Sequence, residues 1–256
     1  NETFDLAVQY HQNNNLQDAQ NYYNKVLELD PKHLSANNNL GGIFQKLGDP
    51  QKAKNCYERA IEINPNYVDA YNNLGIIFKE LGKNQKAKEC YEKAIKIDPN
   101  YVDAHYNLGI AFKELGDLQK AKDCYEKTIE LNPNYENAHN NLGTIFQDLG
   151  EYQKAITCYE KAIAINPNYS NPYTNLGTIF LNLKEYQRAE DCYRKSIELK
   201  SNSPVALINK GKILFEKGEF ELSLIDFDNC NNFDSRSWAL TSLYALGHID
   251  EIYKRI

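Results

Sequence analysis

A step of 34 residues constrains this chain more than any other feature. Gly41, Gly75, Gly109, Gly143, Gly177 and Gly211 are each 34 residues apart, and Pro31, Pro65, Pro99, Pro133 and Pro167 keep the same step. So do Cys56, Cys90, Cys124, Cys158 and Cys192. A fixed step of this size means a stack of like units, each burying its apolar face against its neighbours. At 256 residues the chain has room for one large or two ordinary domains. The period replaces that choice with a repeat.

Each unit holds two stretches of helical period, for example residues 68–81 and 85–97, with Gly82 between them and Pro99 after. Two antiparallel helices follow. The glycine takes the left-handed conformation that ends the first helix, and the proline stops the second. Gly75 and Ala87 are expected to let the two helices approach closely.

Leu74, Gly75, Phe78, Gly82, Ala87, Tyr91, Ala94 and Pro99 together resemble the tetratricopeptide repeat family. The resemblance implies an all-α, right-handed α-solenoid, a superhelix of helix-turn-helix repeats. Units are expected at residues 1–33, 34–67, 68–101, 102–135, 136–169, 170–203 and 204–237, with an incomplete or capping hairpin over 238–256. The seventh unit departs from the pattern, with Lys210 for the leucine, Ser223 for the alanine and Ser235 for the proline. A further first helix is expected to start at Trp238. Ile249, Ile252, Tyr253 and Ile256 form an apolar stripe near the end. With Asn1 first and methionine absent, the chain is expected to be a piece of a longer one.

Composition narrows the function classes. Apolar residues make up 42% and charged residues 25%, which is a folded chain and not a disordered one. No run of 18 apolar residues and no secretory leader is visible, so neither a membrane nor export is expected and the cytoplasm is the default. A net charge of −6, from 29 basic and 35 acidic residues mixed through the chain, argues against a nucleic-acid partner.

The recurring aromatics, Phe44, Phe78, Phe112, Phe146 and Phe180 on first helices and Tyr23, Tyr57, Tyr91, Tyr125, Tyr159 and Tyr193 on second helices, read as core. The five periodic cysteines are one repeat apart. Packed helices lie about 8–10 Å apart, beyond the roughly 7 Å α-carbon limit of a disulfide, so they read as reduced, buried thiols that hold no metal. His105 and His139 share one position and are expected to pack on the preceding hairpin. His248 and Asp250 begin an iron-binding pattern that lacks its second histidine. No nucleophile with a base and no phosphate-binding loop is visible, so neither catalysis nor a cofactor is expected.

One periodic feature is polar. Asn39, Asn73, Asn107, Asn141, Asn175 and Asn209 stand immediately before the leucine position and the glycine of six consecutive first helices, with Asn38, Asn72 and Asn140 beside them. A residue just before the leucine is rotated about 100° away from the packing face; the resemblance makes that direction the concave wall. Asparagine is a mediocre helix former, and its amide matches the donor and acceptor of a peptide backbone. With repeats about 8–10 Å apart and extended chain advancing about 3.3 Å per residue, one asparagine meets about every third peptide residue. Asp69, Asp103, Lys79 and Lys113 are the candidates for reading peptide side chains. Alanine at the ladder positions is expected to spare the fold.

The ladder resembles the peptide-holding arm of O-linked N-acetylglucosamine transferases, without the sugar-nucleotide domain. Where a chaperone-binding branch of the family places its first carboxylate-clamping lysine, this chain has Asn38, Asn72, Tyr106 and Asn140, which disfavours that mode. The expected function is a protein-interaction scaffold holding an extended peptide. The alternative is the non-catalytic recruiting arm of a larger enzyme, a glycosyltransferase or an oxygenase. A monomer is expected, and the terminal apolar stripe leaves end-to-end self-association open.

Overall fold

A computed structural model describes residues 2–200, 203–230, 233–248 and 251. Among these are fifteen α-helices and no strand. They are α1 (Glu2–Gln12), α2 (Leu16–Leu29), α3 (Leu34–Lys46), α4 (Pro50–Ile63), α5 (Val68–Glu80), α6 (Asn84–Ile97), α7 (Val102–Glu114) and α8 (Leu118–Leu131). There follow α9 (Glu136–Asp148), α10 (Tyr152–Ile165), α11 (Ser170–Asn182), α12 (Tyr186–Leu199), α13 (Pro204–Glu216), α14 (Phe220–Cys230) and α15 (Phe233–Ala245). The chain divides into two compact units, residues 1–133 with α1 to α8 and residues 134–256 with α9 to α15. Each is an all-α helical repeat solenoid.

The punctuation works as the sequence dictates. Gly48, Gly82, Gly116, Gly150 and Gly218 end first helices at φ between 69° and 83°, a region costly for any residue with a Cβ. Second helices stop one residue short of Asp30, Asn64, Asp98 and Asn166. These four side chains accept the backbone N–H two residues on, at 2.9–3.1 Å, forming turns around the prolines. Part of the chain's asparagine is thus spent on turns.

The glycines inside the first helices have a different partner from the expected alanine. A Cβ on Gly41 would stand 2.6 Å from Tyr57 Cε1, and one on Gly177 2.6 Å from Tyr193 Cε1. Tyr91 lies against Gly75 in the same way. Each glycine is therefore a seat for the aromatic ring of its own hairpin's second helix. The rings of Tyr23, Tyr57, Tyr91, Tyr125, Tyr159 and Tyr193 are essentially unexposed. Phe78, Phe112, Phe146 and Phe180 are buried too, and Lys86, Lys120, Lys154 and Arg188 cap their faces at 3.8–5.7 Å.

Within residues 1–133, α3 packs on α5 and α5 on α7; within 134–256, α9 packs on α11, α11 on α13 and α13 on α15. Second helices reach the next hairpin through its first helix, as α4 does on α5 and α12 on α13. First helices therefore line the tighter side of each stack.

Two expectations change here. His105 does not simply pack: its Nε2 hydrogen-bonds the Pro99 carbonyl at 2.8 Å. Asn37 and Tyr173, at the equivalent position, donate to the Pro31 and Pro167 carbonyls, so this position clips the loop before its own helix. The last first helix also begins at Phe233, five residues ahead of Trp238. Ser235 replaces the proline that stops extension elsewhere, and it sits buried inside α15. The expected stripe over Ile249, Ile252, Tyr253 and Ile256 lies outside the described residues, as does Asp250.

Candidate peptide-binding wall

All six ladder asparagines are half-buried on first helices. Five of their amide nitrogens donate hydrogen bonds. Asn73 Nδ2 donates to Asn38 Oδ1 at 3.2 Å, Asn107 to Asn72 at 3.0 Å and Asn175 to Asn140 at 3.1 Å. Asn39 donates instead to the Tyr23 hydroxyl at 3.2 Å and Asn209 to that of Tyr193 at 3.1 Å. Asn141 accepts from Asn140 at 3.2 Å.

A rule sorts these partners. Where the residue before the ladder of the preceding hairpin is asparagine, as at Asn38, Asn72 and Asn140, the next ladder amide bonds it. Where the equivalent residue is Phe4 or Thr174, the amide turns to the preceding tyrosine. Either way one N–H points back along the stack, which fixes the amide's orientation. For Asn73, Asn107, Asn175 and Asn209 the side-chain oxygen and the second N–H have no partner among the described residues. Within each unit a fixed acceptor and donor recur on successive first helices, and that pair matches the N–H and C=O of an extended chain.

The same bonds revise the expectation that alanine would spare the fold. Asn72 and Asn140 are only 4% and 6% exposed, so removing Asn107 or Asn175 leaves a buried amide oxygen without its donor. Each such loss costs about 1–3 kcal/mol. The ladder joins hairpins as well as facing out. Asn72 itself is beneath the surface, supporting Asn107.

The rule also accounts for the tyrosine hydroxyls. Tyr159 Oη donates to Gln147 Oε1 at 2.8 Å with Thr144 Oγ1 3.4 Å away, and Tyr57 Oη donates to Gln45 Oε1 at 3.5 Å. At the places of Gln147 and Thr144 the third hairpin has Lys79 and Ile76, and Asn107 is committed to Asn72. The buried Tyr91 hydroxyl has no hydrogen-bond partner.

Around the ladder, Asp69 Oδ1 accepts the Tyr101 hydroxyl at 2.7 Å. Burial and this acidic neighbour push the Tyr101 phenol well above its usual value. Asp69 and Asp103 stand one turn before Asn73 and Asn107, the first half-buried and the second exposed. Lys79 and Lys113 lie in the last turns of α5 and α7. Six residues past the ladder, they are rotated off its face and stand at its edge. Burial pushes the thiols of Cys56 and Cys192 up to about 11 and those of Cys90 and Cys124 to about 12, away from thiolate chemistry. Among the described residues no group of three or more His, Cys, Asp or Glu could hold a metal ion, and no helix is long and apolar enough to cross a membrane.

Family models described as tetratricopeptide repeat match residues 3–33, 35–67, 56–89, 102–135, 136–169 and 158–191, and one described as TPR repeat matches 77–116. This chain belongs to the tetratricopeptide repeat family. Several solved structures are similar. A tetratricopeptide repeat protein from Parabacteroides merdae is 18% identical, covers 94% of this chain and 98% of its own, and gives a TM-score of 0.72. MamA is 28% identical over 63% of this chain and 95% of its own, with a TM-score of 0.57. YrrB, described as a TPR protein with an unusual peptide-binding site, is 20% identical over 72% of this chain and 95% of its own, with a TM-score of 0.58. Comparison with curated proteins gave no match.

Proposed function

We infer that this tetratricopeptide repeat chain is a non-catalytic interaction scaffold that holds an extended peptide by its backbone along the first-helix wall. The observation that carries this reading is that Asn73, Asn107, Asn175 and Asn209 are each oriented by a bond to the preceding hairpin, with an amide acceptor and a donor left over for a ligand. The peptide-binding site described for YrrB, which shares the fold, supports it. Asp69, held by Tyr101, and Asp103 bias the ligand toward basic or hydroxyl-bearing residues near those rungs.

The test is binding of labelled extended peptides by Asn73→Ala, Asn107→Ala and their double variant, at a temperature where circular dichroism shows all three folded. Affinity should fall by about 1–3 kcal/mol in the double variant as two to four backbone hydrogen bonds of about 0.5–1.5 kcal/mol are lost and water restores part. The loss should be similar for peptides of unrelated sequence, whereas Asp69→Ala should change which peptides bind. A folded double variant that binds every peptide as wild type does would sink the reading.

A further inference from the structure

Lys184 breaks the rule of the turns. At its place five hairpins have Gly48, Gly82, Gly116, Gly150 and Gly218 and the first has Asn14, all at positive φ, and Lys184 adopts φ 61° there with a long charged side chain. Asparagine enters this region routinely and lysine does not, so the backbone strain retained at Lys184 points to a task for that residue.

A second departure lies beside it. At the place of Lys212 the preceding units have Gly42, Ile76, Ile110, Thr144 and Thr178, none of them charged. The two lysines converge on one open pocket of about 290 Å³ at the C-terminal ends of α11 and α13. Leu181, Tyr186 and Ile213 give it an apolar lining, and Glu216 contributes the one carboxylate. Lys212 Nζ rests 5.3 Å from the centre of the Trp238 ring, while the Lys184 ammonium has no hydrogen bond or ion pair among the described residues.

The pocket is on the ladder's side of the helices. Asn182 and Glu216, both lining it, are seven residues beyond Asn175 and Asn209, which returns them to the same face about 10 Å further along. We propose that this pocket takes a glutamate side chain of the peptide held on the wall, its methylenes against Leu181, Tyr186 and Ile213 and its carboxylate between Lys184 and Lys212. This rests on the backbone-holding reading above and adds a side-chain preference to it.

Two 18-residue Ser/Ala/Gly peptides test it, one carrying a single glutamate and the other glutamine at that position, with the position scanned along the peptide. At the best position the glutamate peptide should bind wild type about two- to fivefold more tightly than its partner, as a partly exposed ion pair allows, and the ratio should shrink with salt. Lys184→Gly should raise the melting temperature by about 2–4 °C through relief of strain and bring the ratio to one. Lys212→Gln should lower the ratio without that rise. A Lys184→Gly protein that melts higher and keeps the glutamate preference would overturn the assignment. So would equal binding of both peptides to wild type; if that binding still falls in the ladder variants, the backbone-holding reading stands. Failure of wild type to bind either peptide overturns both.

Discussion

The sixth and seventh hairpins, α11–α12 and α13–α14, solve one packing problem in two ways. Where the sixth has Leu176 and Cys192, the seventh has Lys210 and Asp226, and the lysine ammonium bonds both carboxylate oxygens at 2.8 and 3.0 Å. The aspartate side chain is 8% exposed and the lysine 20%. Ala189 is exchanged for Ser223, whose hydroxyl pairs with Ser242 of α15 at 2.9 Å, and Tyr193 for Phe227. An apolar junction has become a polar one on the same backbone. Both halves of each exchange changed together, which is what low-dielectric surroundings demand: a lone charge there is expensive and a pair is tolerable.

Breaking one half should give the largest effect. Asp226→Ala leaves Lys210 without its partner and should cost about 2–4 kcal/mol, whereas Lys210→Leu with Asp226→Cys, restoring the sixth hairpin's pair, should be neutral or stabilising by about 1 kcal/mol. Urea denaturation followed by circular dichroism measures both, and a double variant as weak as the single would break the comparison. Its pH dependence has a definite sign. Burial raises the Asp226 carboxyl above its usual value of 3.8, and Lys210 only partly draws it back. The folded protein then holds this proton more tightly than the unfolded chain does. Its favourable contribution is therefore present at low pH and lost as pH rises through the raised value. The double variant should gain on wild type as pH rises from the usual carboxyl value of 3.8 through the raised one.

Next in size is the feature the two hairpins share. Gly177 seats Tyr193 and Gly211 seats Phe227, with added Cβ atoms 2.6 and 2.7 Å from the rings. Gly177→Ala and Gly211→Ala should each cost about 1–3 kcal/mol from overpacking, despite alanine's better helix propensity. Equal thermal stability of wild type and Gly211→Ala would mean the phenylalanine seat is looser than the tyrosine seat.

The smallest effect asks whether the hydroxyls matter. Tyr159→Phe removes the bond to Gln147 and should cost about 0.5–1.5 kcal/mol, while Tyr91→Phe removes a buried hydroxyl with no partner and should be neutral or stabilising. Differential scanning calorimetry of the two variants decides it. A loss at Tyr91 as large as that at Tyr159 would contradict the partner rule.

Much of this was legible in the residue order. The 34-residue step, the turn glycines and the stopping prolines are local chemistry, fixed by φ preference and by the missing N–H of proline, and they appear in the helices where they appear in the chain. The wall's asparagines were visible as a periodic polar residue in an unfavourable helical position. Their bonds to Asn38, Asn72, Asn140, Tyr23 and Tyr193 were not, because each joins residues 16 or 35 apart whose neighbourhood exists only once hairpins stack. Internal comparison of Phe4 and Thr174 with Asn38 was the one signal that could have suggested the rule.

The sequence by itself thus determined the repeat, the helices and which face of each carries amides, since helical period and turn chemistry act within a few residues. Tertiary structure alone decided that the glycines seat tyrosines, that Lys210 meets Asp226, that the ladder binds hairpin to hairpin, and that Lys184 and Lys212 share a pocket. These are contacts between successive helices, and their energies depend on distance and burial that only the packed stack sets.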